Sequence, residues 1–424
     1  MFTKPNSNVN DRNFNELAKQ FVGNYNKSNN IKFGVSKVKI GPLTRDKSYV
    51  EKKNENNMYN YFFNKKIMIH APKVTSSSDD VSRIESYLQL TNFTENIVFY
   101  DSFPDSNNAE SELLKRFQIA CETINQGMII INNEGIVIKN PYLDGVDIRN
   151  FQKKNIICII SLHFTSPKNT DHYTLMALWN PLLYHSSKES IGNVLSCDGF
   201  LSSHSDIIDN HMMELSNKPI VGYFNNSTQK TSIQDLTFGD MKCFYCGINW
   251  YALPNSLSKR KDIFDLLKKL ESENMVSIYG PKMITNVNVW EGFSSYQKEI
   301  PFDGISLVRE IHKCGVCLVL SSKEHIDSGL SSNRLFEGLA AGVPIISDRN
   351  PFVIKWFGDN VFYIDNDDTE NDRMEQIKTH IQNFKDFPEY TMLKMKKCRD
   401  IFLKNFIVDE EIQAIVNRVK SGTM

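Results

Sequence analysis

Short apolar runs, each followed by a turn signal and an amphipathic stretch, recur along this chain in two successive series. The first series holds Ile67-Met68-Ile69-His70, Ile97-Val98-Phe99-Tyr100 and the run from Ile156 to Leu162, with helical stretches from Val81 to Leu90 and from Ala109 to Glu122 between them. Ser76, Ser77, Ser78, Asp79 and Asp80 stand directly before the first of these stretches, a helix start signal. The second series holds Lys242 to Gly247, Met275 to Pro281 and Val316 to Ser322, with helices expected from Asp262 to Leu270 and from Gly304 to Lys313. Alternation of this kind predicts a parallel sheet covered by helices, the doubly wound α/β arrangement. At 424 residues the chain exceeds what one core ordinarily serves, so each series is assigned its own Rossmann-like domain.

The polar stretch from Asn225 to Thr231 marks the junction. The expected organisation is a polar N-terminal extension over 1–64, a first domain over 65–230, a second over 231–390, and a helical segment over 391–424 that packs back on the domains. In the extension, one helix is expected near Asp11 to Tyr25 and a strand-like run from Ile31 to Ile40. Gly127 to Ile131 and Gly135 to Ile138 read as a hairpin or two short strands. Val194 to Ser205 reads as a strand, a tight turn and a serine-capped helix. His163 follows the Ile156–Leu162 run, and in open parallel sheets the ligand crevice lies beyond the carboxyl ends of the strands. The loop from Phe164 to His172 is polar and broken by Pro167, which suits a binding wall.

A net charge of −1 provides no field for recruiting nucleic acid, so local pockets must carry any phosphate affinity. The apolar runs are too short to span a bilayer and no basic segment with an apolar h-region opens the chain. The expectation is a cytoplasmic protein without a transmembrane segment, with peripheral contact at the inner face of the membrane as an option. Cys243/Cys246 and Cys314/Cys317 have a spacing that zinc accepts. Residues i and i+3 of a strand point to opposite faces, so these read as buried core thiols and no metal is assigned.

The stretch from Ser328 to Asp348 carries the most chemistry. Gly329 frees the backbone for a tight turn, Ser331 or Ser332 can cap a helix, and the first amides of that helix lack intrahelical partners. Arg334 adds a forked cation, and Glu337, three residues on, shares its helix face and offers a carboxylate to vicinal hydroxyls. A diphosphate and a ribose would satisfy both groups. As a bare pattern, Arg334 and Glu337 also fit an exposed ion pair of little consequence.

An ordered set of signals surrounds this stretch: Gly247 after a strand with Lys259 and Arg260 downstream, then Ser277-Ile278-Tyr279-Gly280-Pro281, then Val316 to Ser322, then Phe336-Glu337-Gly338-Leu339-Ala340-Ala341-Gly342-Val343-Pro344-Ile345-Ile346. The set resembles the nucleotide-sugar half of the GT-B glycosyltransferases, especially the family-4-like and spore-coat-type family 1 transferases. The resemblance extends over roughly 65–370 and is specific across 240–365. It implies two Rossmann-like domains facing across a cleft, with Glu337 on the donor ribose and Gly329, Leu330, Ser331, Ser332, Asn333 and Arg334 around the phosphates. Gly247, Asn249, Lys259 or Arg260, Tyr279 and Gly280 complete the donor side, and His163 matches a histidine placed near the reacting sugar. Many relatives keep an acidic residue where this chain has Gly329; Glu324 or Asp327 is the substitute expected from the preceding loop.

The implied activity is transfer of a sugar from a nucleotide-sugar donor to a glycan, lipid-linked or protein acceptor, in bacterial surface polysaccharide or glycoconjugate synthesis. No cofactor or metal is implied, and retention is favoured over inversion. Transfer passes through an oxocarbenium-like state, so the site must stabilise a departing diphosphate. His163 could hydrogen-bond the sugar or act on the acceptor proton, or simply be a satisfied strand-end histidine. A nucleotide-sugar epimerase or phosphorylase of the same architecture, or a non-catalytic nucleotide- or glycan-binding protein, would use a similar pocket. The aromatic stretches Asn249-Trp250-Tyr251 and Tyr173 to Pro181 could stack on sugars or pack a core. Asp198, Ser203 and His204 lack a nucleophile elbow, and no GxGxxG follows a strand, which disfavours a hydrolase and a dehydrogenase.

Overall fold

A computed structural model describes residues 78–106, 108–186, 188–254 and 260–422. The elements expected at Asp11–Tyr25, Ile31–Ile40 and Ile67–His70, and Lys259, lie outside the described residues. The first sheet is built from β1 (Asn96–Tyr100), β2 (Gly127–Ile131), β3 (Val137–Ile138), β4 (Ile156–Ser161), β5 (Thr174–Ala177), β6 (Gly199–Ser202) and β7 (Ile220–Tyr223). Its helices are α1 (Ser78–Thr91), α2 (Ala109–Thr123), α3 (Lys188–Ser196) and α4 (Asp206–Ser216). The strand order is β3-β2-β1-β4-β5-β6-β7, parallel throughout except for β3, which turns back on β2 as a hairpin. Every residue of β1 and of β4 is buried, as a strand with helices on both faces requires.

The second sheet contains β8 (Lys242–Cys246), β9 (Val276–Tyr279), β12 (Tyr296–Lys298), β13 (Gly315–Val319), β14 (Ile345–Asp348) and β15 (Phe362–Ile364), in the order β12-β9-β8-β13-β14-β15, all parallel. A small separate hairpin joins β10 (Met283–Ile284) to β11 (Val287–Asn288). The helices are α5 (Lys261–Ser272), α6 (Ser306–Cys314), α7 (Lys323–Asp327), α8 (Asn333–Ala341), α9 (Pro351–Phe357), α10 (Glu370–Asp386), α11 (Pro388–Asn405) and α12 (Val408–Ser421). Two Rossmann-like sheets in sequence are therefore present. Among the described residues no helix is long and apolar enough to cross a membrane.

One reading needs correction. Val194 to Ser196 is the end of α3, not a strand: Ile191, Val194 and Cys197 are buried at helical spacing, and the strand begins only at Gly199. Of the two roles open to the stretch from Tyr173 to Pro181, it takes the packing one: it contains β5, whose four residues are all buried, and Trp179 lies in the core of the first domain.

The closing segment divides at Phe406. α11 packs on the second domain, and α12 crosses back to lie against α2, β4 and β7 of the first. A bridge between Thr228 and Ile407, with the Val408 amide donating to the Thr228 carbonyl at 3.2 Å, marks the crossing. There Glu411, 7% exposed, accepts the Asn225 amide at 2.9 Å and the Asn225 side-chain amide.

Burial pushes the Glu411 carboxyl up from 4.5 to about 8, against the pull of those Asn225 donors. The folded protein thus holds a proton that the unfolded chain gives up. The stability tied to it is complete below about pH 4.5 and is lost as pH rises through about 8. Urea unfolding between those limits is expected to show this drop, with a slope of up to about 1.4 kcal/mol per pH unit that Glu411→Gln flattens; identical pH profiles for the two proteins would refute it.

Candidate active site

In each sheet the strand order reverses at one point, and that is where an open α/β sheet offers a crevice. In the first sheet the reversal lies between β1 and β4, whose ends carry Asp101-Ser102-Phe103 and Leu162-His163. The His163 ring meets the Phe103 ring edge-on at 5.0 Å and lies 4.1 Å from the Phe164 ring. Its Nδ1 is 2.6 Å from the Thr165 hydroxyl. Burial, with neighbouring His185 adding to it, pushes the His163 imidazole down to about 3. The neutral imidazole is therefore its favoured form near pH 7. In the loop from Phe164 to His172, Thr165, Ser166, Thr170 and His172 are buried, and the Ser166 hydroxyl sits 2.7 Å from that of Ser102.

In the second sheet the reversal lies between β8 and β13. Gly247 follows β8 directly and donates to the Tyr279 carbonyl at 3.2 Å. Gly280 has φ +127°, and a Cβ there would stand 2.2 Å from the Gly247 carbonyl oxygen, so the two turns touch backbone to backbone. Arg260 reaches the Ser321 carbonyl, in the loop after β13, at 3.4 Å while paired with Asp262 at the same distance. The side chains of Tyr279 and Asn249 are committed elsewhere. Tyr279 stacks on Phe244 at 4.8 Å with its hydroxyl 3.5 Å from the Cys314 sulfur, and Asn249 donates to the Val289 carbonyl at 2.8 Å.

α7 carries Glu324 and Asp327. Asp327 pairs with Lys323 at 3.1 Å; at Glu324, burial opposes ionisation but is outweighed, chiefly by the Ser322 hydroxyl, so its carboxyl lies below the ordinary range. Gly329 ends α7 in the left-handed region at φ +61°. Its amide bonds to the Ile326 carbonyl at 3.0 Å and the next amide, of Leu330, bonds back to His325 at 2.9 Å, the Schellman pattern. The same turn faces the first domain. Ser205 donates to the Ser328 carbonyl at 2.5 Å, and the Leu182 amide donates to the Ser328 hydroxyl at 3.1 Å. Leu330 is buried in an apolar cluster with Phe164, Leu178 and Leu182. Through Phe164, His163 and this turn border one cluster.

Ser332 caps α8 by accepting the Arg334 amide at 3.3 Å, the Ser331 hydroxyl donates to the Ser332 carbonyl at 3.2 Å, and Asn333 accepts from Asn226 of the junction. Arg334 lays its guanidinium over the Phe244 ring at 5.3 Å and donates to the Cys246 carbonyl at 3.3 Å. Glu337 is buried between two guanidinium groups. Oε1 accepts from Arg116 of α2 at 2.6 Å, and Oε2 lies 2.6 Å from Nη1 of Arg334. Burial alone would raise the Glu337 carboxyl, but Arg334 and then Arg116 outweigh it and hold it below the ordinary range. The exposed i,i+3 pair considered from sequence is thus a buried one.

Glu112 and Arg116 were missed as site residues. Glu112 Oε1 accepts Arg116 Nη2 at 2.9 Å, and both side chains are buried. The signal was there: Arg116 falls on the same face of α2 as Leu113, Phe117 and Ala120, a charge inside an apolar stripe.

No family model and no curated protein matches the sequence. Solved structures do match the fold. An alpha-glucosyltransferase in complex with UDP and a 13-mer DNA superposes with a TM-score of 0.51 at 11% identity, over 77% of this chain and 100% of its own. HepE from Anabaena, in complex with UDP and glucose, gives 0.51 at 11% identity with the same coverage. Sucrose-phosphate synthase from Thermosynechococcus elongatus gives 0.52 at 9% identity, again over 77% and 100%. The chain has the GT-B fold of these glycosyltransferases.

Proposed function

We propose that the protein is a glycosyltransferase that moves a sugar from a nucleoside-diphosphate donor to a glycan, lipid-linked or protein acceptor. The observation that carries the reading is a pair of buried atoms at the second switch point. Glu337 Oε2 and Arg334 Nη1 form an ion pair, yet neither has a hydrogen bond. A ribose hydroxyl can donate to the first and a phosphate oxygen can accept from the second. Gly280 lets the two turns pack together, and Gly247, with no side chain, leaves room for a close backbone approach to the same ligand.

In the reaction, the bond between the anomeric carbon and the diphosphate oxygen breaks while one to the acceptor oxygen forms. Arg334, Arg260 and the first amides of α8 would take up the charge on the leaving diphosphate without a metal. His163, kept neutral, would hydrogen-bond the donor sugar, and the acceptor proton would leave with the diphosphate. That proton route favours retention of configuration. Glu324 or Asp327 would contact the sugar from α7, in place of the acid that Gly329 replaces. Cytoplasmic synthesis of a surface polysaccharide or glycoconjugate is the setting this reading suggests.

A thermal-shift panel with UDP, GDP, ADP, CMP and dTDP tests it. UDP is expected to lead, because similar folds have been solved with it. At about 100 times its Kd, a ligand bound only to the folded state stabilises by about 2.7 kcal/mol, a shift of several degrees. A flat response to all five would overturn the donor site. Sugar found on an acceptor then separates transfer from epimerisation, phosphorolysis or binding alone.

A further inference from the structure

We propose that Arg116, in the first domain, is a positioning residue for the donor carboxylate of the second: by holding Glu337 Oε1 it keeps Oε2 turned to the ribose. The inference rests on the donor-site reading of Glu337 and adds a residue to it. Arg116 is 0% exposed and donates to Glu337 Oε1 at 2.6 Å, so one carboxylate oxygen is spoken for. The other has a charge partner but no hydrogen bond. A carboxylate anchored at one oxygen cannot rotate its second away without breaking a charge-assisted bond.

Arg116 is itself fixed from three sides. Its Nε and Nη2 both meet Glu112 Oε1, at 3.2 and 2.9 Å, and its Nη1 reaches the Ser227 carbonyl of the interdomain junction at 3.4 Å. Glu112 is tied in turn to the second domain, its Oε2 accepting the Gly304 amide at 3.0 Å. Gly304, at φ +80°, lets that loop lie against α2: a Cβ there would come within 3.2 Å of the Arg116 amide nitrogen. The Gly304 carbonyl accepts from Gln229 at 3.0 Å, so α2, the junction and the second domain meet at one point. The guanidinium that orients Glu337 is thus held by the parts that set the angle between the domains.

The test is calorimetric titration of the full chain with whichever diphosphate of the panel shifts Tm most, and with its 2′,3′-dideoxy analogue. The wild type is expected to prefer the ribonucleotide by about 10-fold, the worth of a hydrogen bond to a charged group. Arg116→Lys keeps the charge and loses the fork, and is expected to bring the two affinities close together while affinity for the dideoxy analogue stays near wild type. A merely structural role would lower Tm and leave the ratio intact. If Arg116→Lys does not fold, Glu112→Gln loosens the same guanidinium without unpairing Glu337, and is expected to reduce the ratio. A wild-type ratio retained in the folded variant overturns the role of Arg116 alone. A wild type that binds the diphosphate without preferring ribose overturns the donor-site reading of Glu337, and this inference with it.

Discussion

Glu337→Gln is expected to lose nucleotide affinity by about 10- to 100-fold and to lose about 3–5 kcal/mol of stability. The two losses have different origins. Stability falls because buried Arg116 and partly buried Arg334 are left with one negative charge fewer between the domains. Affinity falls because a neutral amide is a weaker acceptor for a hydroxyl, and its NH2 can replace the very oxygen that a ribose would use. Glu337→Gln combined with Arg116→Met restores the balance of buried charge, so it is expected to regain part of the stability and none of the affinity. Chemical denaturation measures the first quantity and calorimetry at low temperature the second. Unchanged affinity in folded Glu337→Gln would remove this residue from the donor site, and unchanged stability would mean that its ion pairs contribute nothing net.

The fold was largely legible because its signals are local. Short, isoleucine-rich apolar runs such as Ile156 to Leu162 fit strands buried on both faces, and their alternation with amphipathic stretches leaves a parallel sheet as the economical arrangement. Elements were harder to place where local signals were ambiguous. Val194 and Leu195 are apolar neighbours that suit a strand, but the period of burial is that of α3, and only packing reveals it. β5 is four residues long and sits in an aromatic-rich run, so length and composition both hid it.

The site was legible on one side of the cleft only. The glycine turns at Gly247, Gly280 and Gly329 and the spacing of Arg334 and Glu337 are written within short segments. The partner that holds Glu337 lies 221 positions away on α2. No spacing rule joins Arg116 to Glu337; its sole trace is a charged residue interrupting an apolar helix face. For the same reason the place of the Tyr279 side chain was not legible. Its motif fixes the backbone turn before Gly280, while the direction of its ring is set by Phe244 and Cys314, which other segments supply.

Phe406→Ala is expected to cost about 3–5 kcal/mol and to divide unfolding into two steps. Phe406 is 0% exposed and occupies the break between α11 and α12, where the chain leaves the second domain for the first. Its ring lies 4.9 Å from Trp356, 5.2 Å from Phe336 and 5.7 Å from Phe352, all in the second domain, and 5.3 Å from the ring of His204, in the first. His204 also meets Trp356 edge-on at 5.0 Å, so Phe406 completes a cluster that bridges the domains. Truncation would leave a cavity that aromatic rings cannot fill by rotating, and the contact that couples the unfolding of the two cores would be lost. Phe406→Leu retains most of the volume and is expected to cost less than about 1.5 kcal/mol and to keep one transition. Scanning calorimetry decides the matter. A single transition at the wild-type Tm in Phe406→Ala would show that the domains are held together by other contacts, in which case the Glu112 and Arg116 contacts to Gly304 and Glu337 would have to carry the coupling.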